Sequence, residues 1–510
     1  MKSGLPLDHG LPDELLASAL LYRDTDGQIL LTDVQFAALE AGVATGKNII
    51  ALAPTSSGKT DVGLFAAAGW LSRGLTNGSK VVFLTSHRAL ARQKFAELIH
   101  KFAPLFTLTL DEFVLATGDD IIDGHGDPVL DAFSGTIIIA TYEKYLNLLS
   151  GSGLNTDLAK VCFVADEVQL IGDASRGQNV EILLTLLRHR AGQIVGLSAV
   201  IEVRYGELLA SWLHAEMVRT TRREVELSYE LRTPSSTYTT STATESEPES
   251  HGASIQGTLG VLRELLQTDR EHEPIAVFCM TKKQVFDLAK AWEDEVKKLG
   301  LGSTINDSTM FRESTASSDE LIRYLPHSFA YHTADLNEEE RIAVETRLDD
   351  SDLRVVFATT TLASGLNYSF KTVIIHSWQR WNSSTRGYNA IPRSEFHNMA
   401  GRAGRLSKSD SAGRAIFFAS TPKDIREASR YLSWWELDDF APRIDPKGFS
   451  LLSLQLLSSK VADDETELCK FLQSTFSAER ELERNAAQPE IWADAVSRSV
   501  NNLYDWGLAV

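Results

Sequence analysis

Short apolar runs alternate with longer amphipathic stretches in two parts of the chain. In the first part the apolar runs are residues 48–52, 80–84, 136–140, 161–165 and 193–197. In the second part they are residues 274–279, 354–358, 372–376 and 414–418. Short, nearly continuous apolar strands that are separated by helices are typical of a parallel sheet covered on both faces. The pattern therefore predicts an α/β protein with two parallel-sheet domains in tandem.

Two segments depart from this pattern. Residues 233–254 are rich in Ser, Thr, Glu and Pro, and a segment with so little to bury is predicted to be a flexible linker or an exposed loop. From about residue 430 the strand pattern fades, and amphipathic helices are predicted at 451–461, 465–476 and 491–506. We therefore predict four parts, which are a first domain at 1–230, a linker at 231–257, a second domain at 258–430 and a helical module at 431–510.

The composition limits the class of protein. A chain of 510 residues is too long for one core, and 43% hydrophobic with 23% charged residues is ordinary for a globular protein. Apolar runs stay shorter than the roughly 20 residues that a membrane-spanning helix needs. The N-terminus lacks the pattern of a secretory signal. We therefore expect a cytoplasmic protein with no membrane partner.

Charge and cysteine content narrow the chemistry. The formal net charge of −19 excludes a globally basic nucleic-acid binder, although a basic groove can lie within an acidic protein. Cys162, Cys279 and Cys469 lie far apart in apolar contexts. This spacing predicts buried thiols and argues against a disulfide framework or a cysteine metal site.

A phosphate-binding loop is predicted where the first apolar run ends. Residues 53–60 read APTSSGKT, after a strand and before a helix-like stretch. Small residues allow backbone N–H groups to surround phosphates, Lys59 can reach the β- and γ-phosphates, and the Thr60 hydroxyl can bind Mg²⁺. The candidate nucleotide-binding residues here are Thr55, Ser56, Ser57, Gly58, Lys59 and Thr60. Because Ala53 stands where a plain P-loop has Gly, this stretch alone leaves an ordinary connecting loop open.

Two acidic residues, Asp166 and Glu167, stand side by side at the end of the apolar run 161–165. Adjacent carboxylates at a strand end are costly unless a positive charge lies against them. In a P-loop enzyme Asp166 would bind Mg²⁺ and Glu167 would polarise the attacking water. The alternative is an acidic pair that caps the following helix.

A pair of arginines in the second part of the chain could complete such a site. Residues 398–405 read NMAGRAGR, and Arg402 and Arg405 lie three residues apart, on one face of a helix. If the two domains close over ATP, both side chains can meet the γ-phosphate. The alternative is a solvated basic helix face.

The order of these segments resembles the superfamily 2 helicases, in particular the Ski-like group that includes archaeal DNA-repair helicases and eukaryotic RNA helicases. The resemblance runs from about residue 30 to about residue 430 and continues more weakly to the end. In the first domain the family's motifs match LTDVQ (31–35), APTSSGKT (53–60), SHRAL (86–90), TGD (117–119), TYEK (141–144), DEVQ (166–169) and SAV (198–200). In the second domain they match VFCMTKK (277–283), YHTADL (331–336), ATTTLASGLN (358–367) and NMAGRAGR (398–405).

The resemblance implies two RecA-like domains with ATP and Mg²⁺ in the cleft and one nucleic-acid strand across both. It implies that Gln35 contacts the adenine base, that Gly365 contacts ATP, and that Gln169 acts in hydrolysis beside the acidic pair. The residues implied to contact nucleic acid are Arg88, Thr117, Gly118, Thr141, Thr360 and Thr361. Gln169, Val200 and Asn398 stand where the group usually has His, Thr and Gln, at positions that couple hydrolysis to strand movement.

Residues 376–388 lie where the DNA-unwinding members of the group have a strand-separating β-hairpin. Trp378, Trp381 and Tyr388 are candidates to stack on bases, with Arg380 and Arg386 near phosphates. The alternative is ordinary aromatic packing. The helices after residue 430 resemble the winged-helix domain of these proteins, but the expected wing does not follow within the sequence, so we expect an incomplete module.

Together these features predict an ATP-dependent helicase or translocase that moves 3′ to 5′ on single-stranded DNA. The expected substrate is single-stranded or tailed duplex nucleic acid. DNA is favoured over RNA because the motif spacing and the hairpin segment look more like the DNA-repair members. Two alternatives stay open. One is an RNA helicase of the same group, and the other is an ATP-gated nucleic-acid-binding subunit, for example of a complex with a nuclease, that unwinds little by itself.

Overall fold

A computed structural model describes residues 1–54, 57–118, 120–153, 157–199, 201–243, 247–267, 270–299, 315–363, 368, 370–383, 385–404, 412–433, 443–484 and 490–508. The chain forms two compact units. The first contains the described residues up to Thr221, apart from Pro54, and those from Arg443 onward. The second begins at Arg222 and contains the described residues up to Ser433.

The first unit is built on a mainly parallel sheet. Its strands are β1 (Lys2–Ser3), β2 (Leu30–Leu31), β3 (Ile49–Leu52), β4 (Lys80–Thr85), β5 (Phe113–Thr117), β6 (Asp120–Asp123), β7 (Ile137–Thr141), β8 (Val161–Asp166), β9 (Gln193–Ser198) and β10 (Glu216–Arg219). Its helices before the chain enters the second unit are α1 (Asp13–Ala17), α2 (Asp33–Glu40), α3 (Lys59–Gly74), α4 (Arg88–Phe106), α5 (Tyr142–Leu148), α6 (Gly177–Leu187) and α7 (Val203–Trp212). The large sheet has the order β10-β3-β9-β8-β4-β7-β5-β6, and its neighbours are parallel except β5 and β6.

The five strands predicted in this unit are all present, with ends that differ by one residue. Every residue of β3, β7 and β9 is buried, as is all of β8 except Asp166 at its end. Continuous apolar runs form such strands because helices cover both faces of a parallel sheet. The order β3-β9-β8 is important for function, since parallel neighbours bring their carboxyl ends to one edge.

The second unit repeats this architecture. Its strands are β11 (Leu227–Arg232), β12 (Ser236–Ser241), β13 (Glu249–Gly252), β14 (Ile275–Cys279), β15 (Phe329–His332), β16 (Val355–Thr359), β17 (Thr372–Ile375), β18 (Gln379–Asn382), β19 (Gly387–Ala390) and β20 (Gly413–Phe418). Its helices are α8 (Thr258–Gln267), α9 (Lys282–Leu299), α10 (Ala316–Tyr324), α11 (Glu338–Asp349), α12 (Thr360–Ala363), α13 (Arg393–Ala400) and α14 (Pro422–Ala428). The sheet order is β13-β12-β11-β20-β17-β14-β16-β15, with parallel pairing from β11 to β15. The prediction of two parallel-sheet domains is thus confirmed.

Part of the segment predicted as a flexible linker is folded. β12 pairs antiparallel with β11, and β13 pairs antiparallel with β12. Thr237 and Thr240 of β12 are buried, and the Thr237 hydroxyl lies 2.5 Å from the Ser254 hydroxyl. Threonine is β-branched and favours strands, whereas the prediction weighed only its polarity. β12 and β13 are therefore strands within the segment for which a flexible linker or an exposed loop was predicted.

The C-terminal helices pack on the first unit. They are α15 (Phe449–Ser458), α16 (Glu465–Gln473), α17 (Phe476–Arg484) and α18 (Glu490–Asp505), which include the three predicted ones. The backbone N–H and hydroxyl of Ser477 donate to the two carboxylate oxygens of Glu181 on α6, at 2.6 and 2.8 Å. Trp212 and Arg188 both donate to the Ser474 carbonyl at 2.8 Å. These buried polar contacts fix the helices against α6 and α7.

Within the described residues, every helix is too short or too polar to cross a membrane. The three cysteines are free thiols, with Cys162 and Cys279 buried and Cys469 half-buried.

The burial of the Glu181 carboxyl group, which outweighs the opposing hydrogen bonds from Ser477, predicts a pH-dependent stability. Burial raises the pKa of Glu181 to about 7 from its ordinary 4.5. The folded state therefore holds this proton more tightly than the unfolded state, and stability is lost as the pH rises from about 4.5 to about 7, by roughly 3 kcal/mol for this group. Glu181→Gln should remove this loss, so that the variant exceeds the wild type in urea midpoint at pH 8 but not at pH 5.

The matched control is Glu207→Gln, which removes the same charge from an exposed position on α7. Equal effects of the two substitutions at pH 8 would contradict the prediction.

Candidate nucleotide and nucleic-acid sites

The carboxyl edge of the first sheet collects the predicted nucleotide-binding residues. The loop after β3 leads to Lys59, the first residue of α3. Asp166 is the last residue of β8, and Ser198 is the last residue of β9, which lies between β3 and β8. Sequence positions more than 100 residues apart are thus adjacent strand ends.

The phosphate-binding loop leads directly into the N-terminus of α3, with Gly58 as the N-cap residue. Gly58 precedes α3 with a left-handed backbone, φ 81°, and Ser57 is buried. The Lys59 ammonium donates to the Ala53 carbonyl at 2.5 Å, across the base of the loop. Thr60 lies in the first turn of α3, where backbone N–H groups and the helix dipole favour anions. Thr55 and Ser56, also predicted to bind nucleotide, lie outside the described residues.

The acidic pair does not cap the helix that follows it. Within residues 157–199, the Glu167 side chain makes no capping hydrogen bond to the following 3₁₀ helix, Val168–Gly172, and Glu167 itself has a left-handed φ of 55°. The backbone N–H of Glu167 donates to Asp166 Oδ1 at 3.0 Å, and the Tyr142 hydroxyl donates to the Asp166 carbonyl at 2.7 Å. The alternative of a helix cap therefore does not describe the Glu167 side chain.

The charge of Asp166 is held in a protein interior. Burial first, and the neighbouring Glu167 second, raise the pKa of Asp166 to about 6, while the nearby Lys94 and Lys59 oppose this rise. Such a carboxylate gains from an added cation. Asp166 and Thr60 supply oxygen ligands, the kind that Mg²⁺ prefers. The described residues contain no cluster of three or more His, Cys, Asp or Glu side chains that could hold a metal ion. The residues present therefore fit Mg²⁺ with a nucleotide.

Gln169 connects the acidic pair to the neighbouring strand. Its amide nitrogen donates to a Glu167 carboxylate oxygen, and its amide oxygen accepts from the Ser198 hydroxyl at 2.7 Å. One side chain thus donates and accepts at the same time, without titrating near neutral pH. Gln169 ties the motif at the end of β8 to the motif at the end of β9. Val200, in the second of these motifs, lies outside the described residues.

Gln35 is fastened to the phosphate-binding loop. Its amide oxygen accepts from the Thr32 backbone N–H at 2.9 Å, and its amide nitrogen donates to Asp61 at 2.8 Å and to the Gly58 carbonyl at 3.3 Å. A Cβ atom on Gly58 would lie 2.4 Å from that amide nitrogen. The structure therefore shows Gln35 supporting the loop, and its adenine contact stays a prediction.

Two charged residues near this site, Asp61 and Lys94, were not predicted from the sequence, because neither belongs to a recognisable motif. Asp61 follows Thr60 directly, and burial raises the pKa of its carboxyl group, against Lys101 and Lys94. Lys94 is a buried lysine on α4 that forms an ion pair with Glu97 at 2.6 Å. Lys94 acts electrostatically on both Asp61 and Asp166. Only the tertiary structure, in which α4 packs on β4, β5 and β7, brings Lys94 near these two acids.

The residues predicted to hold nucleic acid in the first unit lie at the next strand ends. Arg88 begins α4 after β4, Thr141 ends β7, and Thr117 ends β5. β4, β7 and β5 are consecutive in the sheet. Gly118 lies under the Arg88 guanidinium, since a Cβ atom there would be 2.4 Å from Arg88 Cζ. These residues therefore lie along one edge of the sheet, and their contact with nucleic acid stays a prediction.

In the second unit the predicted residues are only partly described. Thr360 is the first residue of α12 and directly follows β16. It therefore lies at a strand-to-helix turn, as Arg88 and Thr141 do in the first unit. Arg402 is buried in the turn after α13, which contains Asn398. Gly365 and Arg405 lie outside the described residues, as does the side chain of Thr361.

A β-hairpin is present where the sequence predicted one. β18 and β19 pair antiparallel, with Trp381 opposite Tyr388. These two rings are 54% and 65% exposed, and their centroids are 5.4 Å apart. Trp378 differs, because it is 4% exposed and its indole N–H donates to the Phe418 carbonyl at 2.8 Å. The alternative of ordinary packing describes Trp378, whereas Trp381 and Tyr388 are accessible.

Known families match both sheets. The DEAD/DEAH box helicase family matches residues 32–207, and the helicase conserved C-terminal domain matches residues 257–407. The first match contains the phosphate-binding loop and the acidic pair, and the second contains Arg402. These matches confirm the resemblance to the superfamily 2 helicases.

Proteins similar to this chain include archaeal DNA helicases. An ATP-dependent DNA helicase Hel308 from Pyrococcus horikoshii is 32% identical over 447 residues, which are 87% of this chain and 58% of that protein. The Hel308 proteins of Methanococcus vannielii and Caldivirga maquilingensis are 29% and 27% identical, over 85% and 93% of this chain. The chain spans 56–61% of the length of these relatives.

The contact between Gly58 and Gln35 predicts that Gly58→Ala loosens the phosphate-binding loop. The control is Gly78→Ala, because Gly78 has a similar φ of 76° but open space where a Cβ would lie. Both variants should lose roughly 1–2 kcal/mol from the left-handed backbone. Gly58→Ala should lose about 1–2 kcal/mol more as Gln35 is displaced from its hydrogen bonds.

Urea unfolding measures the difference in stability between the two variants. Titration with a fluorescent ATP analogue measures how strongly the phosphate-binding loop of each variant binds nucleotide. Equal stability and equal nucleotide affinity in the two variants would refute the role given to this contact.

Proposed function

We propose that this chain is an ATP-dependent DNA helicase or translocase, which couples ATP hydrolysis to movement along a strand. The observation that carries the proposal is that one edge of one sheet bears two adjacent sets of residues. Residues suited to a nucleotide follow β3, β8 and β9. Residues suited to a nucleic-acid backbone follow β4, β7 and β5. The relatives are ATP-dependent DNA helicases by name, which supports DNA as the substrate.

The nucleotide half of the edge acts by charge and position. Lys59 binds the β- and γ-phosphates, and Glu167 orients and polarises the attacking water. Thr60 and Asp166 would hold Mg²⁺, which neutralises phosphate charge when bound. Gln35, Ser57 and Gly58 shape the loop around the nucleotide, and Thr55, Ser56 and Gly365 join them by resemblance. Arg402 and Arg405 meet the developing charge on the γ-phosphate.

Gln169 is proposed to couple ATP hydrolysis to movement along the nucleic-acid strand. It holds the Glu167 carboxylate on one side and the Ser198 hydroxyl on the other. A change at the γ-phosphate that moves Glu167 therefore reaches the end of β9. Because an amide does not titrate near neutral pH, this link keeps its form where a His would change charge.

The nucleic-acid half holds the strand by its backbone. Arg88 supplies positive charge, while Thr117, Thr141, Thr360 and Thr361 supply hydroxyls and strand-end N–H groups. Contacts of this kind grip phosphates without reading bases. We propose movement from 3′ to 5′, which is the direction that the resemblance implies. The predicted domain boundaries at 230 and 258 differ from the observed division, because the second unit begins at Arg222 and its sheet includes β11, β12 and β13.

The direct test is ATP turnover with and without single-stranded DNA or RNA. We expect turnover that DNA stimulates, and loss of about 100-fold or more in Lys59→Ala, because the phosphate charge loses its fixed cation. Lys47→Ala is the matched control, since Lys47 is an exposed lysine just before β3. Turnover that neither nucleic acid changes would refute the proposal.

Strand displacement on duplexes with 3′ or 5′ tails separates the proposed activity from its alternatives. Displacement of 3′-tailed DNA supports a DNA helicase. Displacement of tailed RNA alone supports an RNA helicase. Stimulated turnover without displacement supports an ATP-gated binding subunit, for which co-purification with a nuclease is the next measurement.

The exposed hairpin pair predicts a separation of unwinding from hydrolysis. Trp381→Ala should reduce strand displacement by about tenfold, because stacking of a base on an aromatic ring contributes about 1–3 kcal/mol. ATP turnover on single-stranded DNA should change by less than about twofold, since the hairpin residues are not in the nucleotide loop. Trp506→Ala is the control, because Trp506 is 59% exposed on the C-terminal helices. Equal displacement by the two variants would exclude Trp381 from strand separation.

A further inference from the structure

The β-hairpin of the second unit, formed by β18 and β19, is fixed where it joins the rest of that unit. Trp378 precedes β18 and Ile391 follows β19, and the Ile391 N–H donates to the Trp378 carbonyl at 3.0 Å. The Ile391 carbonyl in turn accepts from the Tyr431 hydroxyl at 2.6 Å and from Arg430 Nη2 at 2.7 Å. Trp378, Ile391 and Tyr431 are buried. Both ends of the hairpin are therefore held by the core of the same unit.

The two faces of the hairpin carry different side chains. Neighbouring residues of a strand point to opposite faces, so Arg380 and Trp381 of β18 lie on opposite sides of the hairpin. Trp381 pairs with Tyr388 on one side, and both rings are exposed. Arg380 lies opposite Asn389 in the register of the two strands. The hairpin therefore has one face with an exposed aromatic pair and one face with a cation.

Arg380 forms an ion pair with helix α13. Its Nη1 atom donates to one carboxylate oxygen of Glu395 at 3.2 Å, and its Nη2 atom donates to the other oxygen. Nη2 also lies 3.9 Å from the sulfur of Met280, which directly follows β14. An ion pair at a protein surface generally contributes little to stability, but a bidentate pair fixes the direction of both side chains. This pair therefore connects β18 to the first turn of α13.

The connection has a mechanical consequence for the exposed aromatic pair. A hairpin of two strands is only marginally stable by itself and twists strongly. Its ends are fixed at Trp378 and Ile391, but Trp381 and Tyr388 lie three residues further along each strand. Arg380 lies between the fixed end of β18 and Trp381. The ion pair with α13 can therefore hold the outer part of the hairpin in one direction.

We propose that Arg380 is a positioning residue for strand separation, which holds the hairpin against α13 through Glu395 and does not bind a nucleic-acid phosphate. The inference rests on the proposed function, in which Trp381 contacts the separating strands. It differs from the expectation that Arg380 lies near phosphates, because Glu395 already accepts from both terminal nitrogens of its guanidinium. Loss of either partner should reduce strand displacement and leave ATP turnover on single-stranded DNA almost unchanged.

The salt dependence of DNA binding distinguishes a positioning residue from a phosphate contact. Each phosphate that a protein neutralises contributes about 0.7–0.9 to the slope of log K against log salt concentration. Arg380→Gln should keep the wild-type slope for a fluorescently labelled 3′-tailed duplex, measured by anisotropy. Arg426→Gln is the matched control, since it removes the same charge from an exposed position on α14. A slope that falls by about 0.7–0.9 in Arg380→Gln, or rises by as much in Glu395→Gln, would overturn the inference.

Strand displacement of 3′-tailed DNA tests the positioning role directly. Arg380→Gln and Glu395→Gln should each lower the displacement rate by about fivefold, and ATP turnover on single-stranded DNA should change by less than about twofold. The double variant should be no slower than either single variant, because both substitutions remove the same ion pair. Arg426→Gln should behave as the wild type in both assays. Losses that multiply in the double variant would show two separate roles and would overturn the inference.

Exchange of the two charges separates positioning from a general need for either residue. Arg380→Glu alone places two carboxylates together and should slow displacement at least as much as Arg380→Gln. Adding Glu395→Arg rebuilds the pair in reverse and should restore about half of the lost rate or more. A double exchange that is as slow as Arg380→Glu alone, at the wild-type urea midpoint, would overturn the inference.

A conservative variant replaces the charge exchange if its urea midpoint is lowered. Arg380→Lys keeps the charge but loses the bidentate geometry, so its displacement rate should lie between those of the wild type and Arg380→Gln. A rate equal to that of Arg380→Gln would overturn the inference.

Amide hydrogen exchange tests the connection without any need for activity. Exchange across residues 379–382 and 387–390 should be about fivefold faster in Arg380→Gln than in Arg426→Gln, while residues of β14 should be unaffected. Unchanged exchange in the hairpin would overturn the inference.

The outcomes for the inference and for the proposed function are distinct. A wild-type chain with neither DNA-stimulated ATP turnover nor strand displacement would overturn the proposed function, and the positioning role with it. A wild-type chain that displaces strands, beside Arg380→Gln and Arg426→Gln variants with equal displacement rates, would overturn this inference alone.

Discussion

The site depends on how the chain compensates a half-buried negative charge, that of Asp166 at the end of β8. Burial and Glu167 both raise the pKa of Asp166, and a carboxylate in this environment is stable only if positive charge lies near it. Lys59 reaches it from α3 and Lys94 from α4, while the Glu167 N–H donates to it from the chain itself. The same electrostatic demand makes the site receptive to a cation that arrives with a triphosphate. The charges that stabilise Asp166 in the folded chain are therefore also those that would act on a bound nucleotide and its cation.

The parallel sheet turns this local demand into a shared edge. Parallel strands end on the same side, and the order β3-β9-β8-β4-β7-β5 makes neighbours of segments that are far apart in the chain. Gln169 then joins the ends of β8 and β9, and Gln35 joins α2 to the phosphate-binding loop. A glutamine amide can make both connections because it has a donor and an acceptor and does not titrate near neutral pH. The second unit uses a different device, in which Arg223 gathers the carbonyl groups at the end of α13.

How far the sequence predicted the molecule depends on whether the signal was local. The buried strands were recognisable because each is a continuous apolar run, and the phosphate-binding loop because its small residues and lysine are contiguous. β12 was missed because Ser and Thr were weighed as polar residues, although β12 gains its stability by pairing with β11. Trp378 and Trp381 looked alike in the sequence. Only the packing of Trp378 against Tyr431, with ring centroids 6.0 Å apart, and the position of Trp381 on the hairpin separate them.

By itself the sequence determined the class of fold and the two-domain plan, because each strand is a short continuous apolar run. It also determined the loop with Lys59 and Thr60 and the acidic pair, because each of these consists of a few neighbouring residues. Tertiary structure alone decided that the Gln169 amide bridges Glu167 and Ser198, that Lys94 lies near the two half-buried acids Asp61 and Asp166, and that Arg223 binds a turn 178 residues further on, at Gly401. The physical reason is that hydrogen bonds and charge compensation act over a few ångströms of space. Which residues share that space is set by the sheet order and the helix packing, and these have no local signature in the chain.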